Sequence, residues 1–177
     1  MRGPWQPAAT PLGGGAVAHG VNRVAAAVRK SIMKISGTYT LPFPRERAFA
    51  LMQDPEALAR AMPGCESLDR IGPDEYKMKM NMVLASLSGA FEGKVRISDS
   101  SPSESFRLIV EGSGRIGFMK GEGLLKLAPV EGGTEVSYDG DAQVGGTMAA
   151  VGQRLIDGTA KMMIKRFFEK LAAEAAS

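Results

Sequence analysis

Hydrophobic and polar residues alternate along most of the chain after residue 32, which is the pattern of half-buried β-strands. The clearest case lies at 75–83, where the apolar positions are Tyr76, Met78, Met80 and Met82. Similar alternation predicts strands at 33–41, 66–71, 88–98, 104–112, 116–128 and 133–143. Turn-forming sequences such as GPDE and SDSSPSE separate the strands. We therefore expect hairpins within one antiparallel sheet of seven strands.

Two short helices are predicted between the first and second strands, at about 44–52 and 55–62. Pro44 and Pro55 stand where prolines open helices, and Asp54 is suited to cap the second one. Pro63 and Gly64 are expected to end that helix.

A long helix is predicted at about 147–174, with an apolar stripe along one side. The expected stripe comprises Met148, Val151, Leu155, Met162, Phe167 and Leu171. Asp157 and Lys161 are spaced to form an ion pair on the wet side, which also carries Arg154 and Lys165. Gly152 and Gly158 each disfavour the helix by roughly 1 kcal/mol relative to alanine. We expect them to thin the helix where the sheet or a ligand comes close.

A twisted antiparallel sheet that wraps a long helix tends to leave a hollow beneath it. Residues expected to face the helix support this: Gly37, Gly93, Gly121, Gly123 and Gly140 lack side chains. The methionines expected to supply a flexible lining are Met78, Met80, Met82, Met119, Met148 and Met162. The alternative is that the glycines only allow the sheet to bend, while the methionines fill an ordinary core.

The net charge of +3 is concentrated at the N-terminus, because residues 1–32 carry four basic and no acidic residues. The remainder has 18 basic and 19 acidic residues, so no basic field suited to nucleic acid is expected. Residues 1–15 are predicted to be disordered. Residues 16–32 have apolar positions at helical spacing. They are either a basic amphipathic segment for an anionic membrane or the product of a start codon assigned upstream of Met33.

The sequence lacks the residues of common catalytic and metal sites. Its only histidine is His19, in the N-terminal extension, and its only cysteine is Cys65, which we expect to be buried. No disulfide is therefore expected within the chain, which fits a reducing compartment. GSGRIG at 112–117 imitates a nucleotide-binding sequence but lies between antiparallel strands, so it opens no helix towards a phosphate.

Three segments closely resemble the CoxG family, which is named for carbon monoxide dehydrogenase. They are SGTYTLPFPRERAFALMQDPEALARAMPGCESL, FEGKVRISDSSP and DAQVGGTMAAVGQRLIDGTAKMM. The resemblance spans about Met33 to Ala173. Positions that match the family's fixed blocks are Pro63, Gly64, Cys65, Gly145, Gly146, Leu155, Ile156, Asp157 and Gly158. They imply a fold and a cavity mouth, without a catalytic role.

The resemblance implies an α+β helix-grip fold of the START/Bet v 1-like (SRPBCC) superfamily, in residues 33–177. A seven-stranded curved antiparallel sheet would wrap a long C-terminal helix, with two short helices after the first strand. We expect the ligand cavity to be lined by Met62, Met78, Met80, Phe91, Gly93, Phe106, Leu108, Met119, Gly121, Gly123, Tyr138, Gly145, Gly146, Met148, Leu155 and Met162.

The resemblance also implies a non-enzymatic accessory of a molybdenum hydroxylase of the carbon monoxide dehydrogenase type. Its partners would be an apolar lipid or quinone-like molecule and components of the hydroxylase, with no metal, cofactor or nucleic acid. We expect it in the cytoplasm, or peripherally on the inner face of the cytoplasmic membrane. Two alternatives stay open. One is an assembly factor that acts through its surface without a ligand. The other is a cyclase or hydrolase that uses Tyr39, Tyr76 or Tyr138 with a carboxylate.

Overall fold

The computed structural model describes residues 30–84 and 86–174. Its first three elements are strand β1 (Lys30–Leu41), helix α1 (Arg45–Leu51) and helix α2 (Pro55–Ala61). Six strands follow: β2 (Cys65–Gly72), β3 (Glu75–Leu84), β4 (Leu87–Ser101), β5 (Ser105–Gly114), β6 (Gly117–Val130) and β7 (Gly133–Gly145). The chain continues with a 3₁₀ helix (Gly146–Val151) and helix α3 (Gln153–Ala173).

All seven strands form one antiparallel sheet in the order β1-β7-β6-β5-β4-β3-β2. The first strand pairs with the last, from Leu41 opposite Thr134 to Lys30 opposite Gly145. The edges are therefore β1 and β2, and helices α1 and α2 connect them. Helix α3 packs against α2 and β1 across the concave face of the sheet. This arrangement confirms the predicted helix-grip fold.

Local sequence chemistry explains most of these elements. Every second residue of β3 from Tyr76 to Leu84 is buried, as its alternation predicts. Asp74 has φ +56° in the predicted turn before β3, a conformation that aspartate tolerates well. The Oδ1 of Asp54 accepts a hydrogen bond from the backbone N–H of Glu56 at 3.1 Å, so the predicted N-cap of α2 is confirmed.

The prediction of one continuous C-terminal helix is wrong. Gly152 has φ +104° and separates the 3₁₀ helix from α3. A 3₁₀ helix turns once every three residues, so it changes the phase of the side chains that follow. As a result Leu155 and Met162 are exposed, whereas Ile156, Phe168 and Leu171 are buried.

The expected role of the two helix glycines is also wrong. A Cβ atom added at Gly152 or at Gly158 would meet nothing within 4 Å, so neither residue thins the helix beside the sheet or a ligand. Gly152 instead allows the backbone to break with a positive φ, which favours glycine.

The first strand begins earlier than expected, because β1 already pairs with β7 at Lys30. Ile32, which was expected on a helical face, lies in this strand with an exposed side chain. The expectations for residues 1–29, including the helical pattern over 16–29 and His19, lie outside the described residues.

Candidate functional site

A cavity of about 320 Å³ lies between α3 and the concave face of the sheet, and we call it the inner cavity. Strands β5, β6 and β7 form its floor and α3 forms its roof. The C-terminal ends of α1 and α2 contribute Met52 and Met62. Its lining is almost entirely apolar. Such a space favours an apolar molecule, because buried polar ligands need hydrogen-bond partners.

Several residues that the sequence placed around a ligand do line the inner cavity: Met62, Phe106, Leu108, Met119, Gly121, Gly123 and Tyr138. Most of them come from the central strands β5–β7. Their side chains face inward because they occupy alternate positions of those strands.

The β3–β4 side of the sheet is filled rather than hollow. Met78, Met80 and Phe91 are buried in the continuous hydrophobic core and lie outside the cavity lining. Their bulk occupies the concave surface in this region, so their expected place around the ligand is corrected. A Cβ atom at Gly93 would meet the backbone O of Glu111, so this glycine lets β4 approach β5 closely.

The glycine-rich segment after β7 also lies outside the cavity lining. Gly145 lies against the ring of Phe118, and Gly146 has φ +75° and packs on Gly117. Met148 is buried, and its backbone N–H donates to the O of Ile116 at 2.7 Å. This segment therefore anchors the chain reversal on the start of β6 and does not form a cavity mouth.

Leu155 and Met162 lie outside the lining as well, on the exposed side of α3. The helical residues that line the cavity are Ala160, Met163, Ile164, Phe167 and Phe168. A spacing of three and four residues from Ile156 through Ala160 and Met163 to Phe167 could have identified this face. The expected helix start at 147 concealed it.

An aromatic cluster borders the cavity at its β1 side. The ring of Phe168 stacks on Tyr39 at 5.1 Å and on Tyr138 at 5.5 Å between ring centroids. Gly37 lies directly opposite Tyr138 in the sheet. A Cβ atom at Gly37 would fall 2.6 Å from the Tyr138 hydroxyl oxygen, so this glycine makes room for the phenol ring.

A second hollow of about 490 Å³, the outer cleft, lies between β1 and α3 on the other side of this cluster. Its lining residues are Met33, Lys34, Ile35, Ser36, Thr38, Tyr39, Tyr138, Asp157, Ala160, Lys161, Ile164, Lys165 and Phe168. Six of these residues also line the inner cavity: Met33, Ile35, Tyr138, Ala160, Ile164 and Phe168. The two spaces therefore adjoin, and only the outer one is rich in polar groups.

Asp157 in the outer cleft accepts a hydrogen bond from Nε2 of Gln153 at 2.9 Å. The same nitrogen donates to the backbone O of Ile32 at 3.1 Å, which ties α3 to β1. The predicted ion pair between Asp157 and Lys161 is absent from the salt bridges of the described residues.

The remaining reactive groups are not arranged for catalysis. The hydroxyl of Tyr76 accepts from Arg70 and donates to the backbone O of Gln53, each at 3.2 Å. Burial raises the pKa of the half-buried Cys65 thiol, so it is a poor nucleophile near neutral pH. Within residues 30–84 and 86–174, no three His, Cys, Asp or Glu side chains are grouped to hold a metal ion.

Comparisons with known proteins agree on the family and the fold. The family model for CoxG of carbon monoxide dehydrogenase matches residues 37–176. A conserved protein from Geobacillus kaustophilus is 34% identical, with a TM-score of 0.78. That match covers 81% of this chain and 95% of the Geobacillus chain. No curated protein matches the chain.

More distant structures share the fold alone. The Zhui aromatase/cyclase from Streptomyces sp. R1128 has a TM-score of 0.61 at 11% identity, over 82% of this chain and 94% of its own. Ara h 8.0201 has a TM-score of 0.57 at 14% identity, over 81% of this chain and 97% of its own. These likenesses identify the Bet v 1-like helix-grip fold. No helix in the described part of the chain has the length and apolar character needed to cross a membrane.

Proposed function

The chain belongs to the CoxG family of carbon monoxide dehydrogenase, and from this premise we propose a non-enzymatic accessory of a molybdenum hydroxylase. In this proposal the protein holds an apolar lipid or quinone-like molecule in the inner cavity. It helps to recruit the hydroxylase to the membrane or to mature it there. The family match supports the accessory role, and the apolar cavity supports the ligand.

The single observation that carries the ligand is the apolar lining of the inner cavity. Its volume of about 320 Å³ is near the lower end of the range of roughly 300–1,000 Å³ typical of small-molecule sites. The cavity therefore suits a small apolar molecule or one end of a longer one. Each Å² of apolar ligand surface buried would contribute about 25 cal/mol, less the cost of association.

Gly123→Leu tests this proposal by filling the cavity. A Cβ atom at Gly123 would make its closest contact at 3.4 Å, so the added side chain extends inward without a severe backbone clash. We expect the variant to lose binding of Nile red, a neutral apolar dye, by at least about tenfold. Fluorescence titration of the purified full chain measures this, and circular dichroism checks the fold.

Gly158→Leu is the matched control, because it adds the same side chain where the structure has open space outside the cavity. It should bind the dye like the wild type. If Gly123→Leu folds and still binds the dye normally, the inner cavity is not the ligand site. If it captures the hydroxylase as well as the wild type does and also restores hydroxylase activity in cells, the accessory work is done by the protein surface without a cavity ligand.

A further inference from the structure

Polar and apolar groups are sharply divided between the two adjoining spaces. The inner cavity is almost entirely apolar, whereas three lysines, Lys34, Lys161 and Lys165, line the outer cleft. None of these lysines takes part in a salt bridge with another described residue. Asp157 is the only acidic residue that lines the outer cleft, and it is already bonded to Gln153. The outer cleft therefore has an excess of positive charge.

Neighbouring acidic residues offset only part of this charge. Lys34 lies directly opposite Asp141 on the outer face of the sheet, although the two side chains form no salt bridge. Lys161 and Lys165 come from α3, one helical turn apart, so their side chains project on the same side of the helix. The two α3 lysines are thus the main cations available to a ligand in the outer cleft.

Two tyrosines add hydrogen-bond donors between the spaces. Tyr39 and Tyr138 both line the outer cleft, and Tyr138 also lines the inner cavity. Neither hydroxyl forms a hydrogen bond with another group in the part of the chain described here. Phenol hydroxyls and ammonium groups together are suited to bind an oxyanion.

We propose that the outer cleft binds the anionic head group, a carboxylate or a phosphate, of an amphiphile whose apolar chain occupies the inner cavity. This inference rests on the proposed function and specifies its ligand class. The charged head stays partly hydrated beside Lys161 and Lys165, so it avoids the desolvation that the inner cavity would impose. The chain passes beside Phe168, where the two spaces share their lining residues.

The test compares three ten-carbon probes that differ only in the head group: decanoate, decyl phosphate and the neutral decanol. Their affinities are measured by displacement of Nile red from the full chain. We expect both anions to bind more tightly than decanol at low salt. The advantage should shrink at high salt, because salt screens charges at exposed sites.

The double variant K161Q/K165Q removes both α3 charges and keeps similar helix propensity. We expect it to weaken decanoate binding by roughly five- to thirtyfold, as two exposed ion pairs would, and to leave decanol unchanged. R166Q/K170Q is the matched control. It removes two charges from the same helix at positions outside the cleft lining, so it should alter neither affinity.

The outcomes separate this inference from the function on which it rests. If decanol binds as tightly as decanoate, or K161Q/K165Q binds decanoate normally, the head-group site is wrong and the apolar cavity stands. If inorganic phosphate displaces decanoate as well as decyl phosphate does, the cleft is a site for free anions and the amphiphile is wrong. If none of the probes nor Nile red binds, the proposed function fails as well.

Discussion

At the scale of the residue, glycines in similar sequence contexts have different structural roles. At Gly123 a side chain could extend into the inner cavity, whereas at Gly140 a Cβ atom would collide with the backbone O of Glu122. Gly37 accommodates the ring of Tyr138, although the sequence predicted an empty position there. The role of a glycine therefore depends on which atoms the fold brings beside it.

Gly158 allows a direct test at this scale. It is exposed in the interior of α3 with open space around it, so Gly158→Ala should stabilise the protein by about 1 kcal/mol. For a protein of this size the melting temperature should rise by about 2–4 °C. Gly152→Ala is the contrasting variant and should lower it, since its φ of +104° strains any L-residue. A lower melting temperature for Gly158→Ala would show that this glycine has a packing role.

At the scale of the element, the C-terminal end of α3 is fastened to the short helices. Nη2 of Arg60 lies 2.7 Å from Oε1 of Glu174, and Nη2 of Arg47 donates to the backbone O of Glu174 at 3.2 Å. The hydrogen bond from Arg60 lowers the pKa of the Glu174 carboxyl group. The folded state therefore favours the charged carboxylate even at a helix C-terminus, where the helix dipole disfavours it.

This pKa shift predicts how stability depends on pH. A carboxyl pKa that is lower in the folded state contributes stability above its unfolded value, and that contribution is lost as the pH falls through the folded value. Glu174→Gln should therefore lower the urea midpoint at pH 7, and the difference should vanish near about pH 3. Glu169→Gln, on the exposed side of α3, is the control and should show no such pH-dependent difference. An equal loss for Glu174→Gln at both pH values would contradict the linkage.

At the scale of the whole molecule, the inner cavity couples ligand binding to stability. A ligand that binds only the folded state stabilises it by about 2.7 kcal/mol at one hundred times its Kd. For this chain length that corresponds to a rise of roughly 5–10 °C in the melting temperature. We therefore expect decanol to raise the melting temperature of delipidated wild-type protein and to leave that of Gly123→Leu unchanged. Equal shifts in the two proteins would place the bound ligand elsewhere.

The sequence alone determined the elements whose cause is local. The alternation through Tyr76 and Met82 predicted β3, and Asp54 before Pro55 predicted the start of α2, because periodicity and capping depend on residues close in the chain. The order of strands and helices, together with the family resemblance, also predicted the helix-grip fold.

Only the tertiary structure decided where the hollow lies. The break at Gly152 rotated the apolar face of α3 away from Leu155, and bulky residues such as Phe91 filled the β3–β4 side. The outer cleft exists because β1 and α3 meet there, although Lys34 and Lys161 are far apart in the sequence. A cavity is space left between distant elements, so its position depends on how they pack together and cannot be read from the periodicity of any one of them.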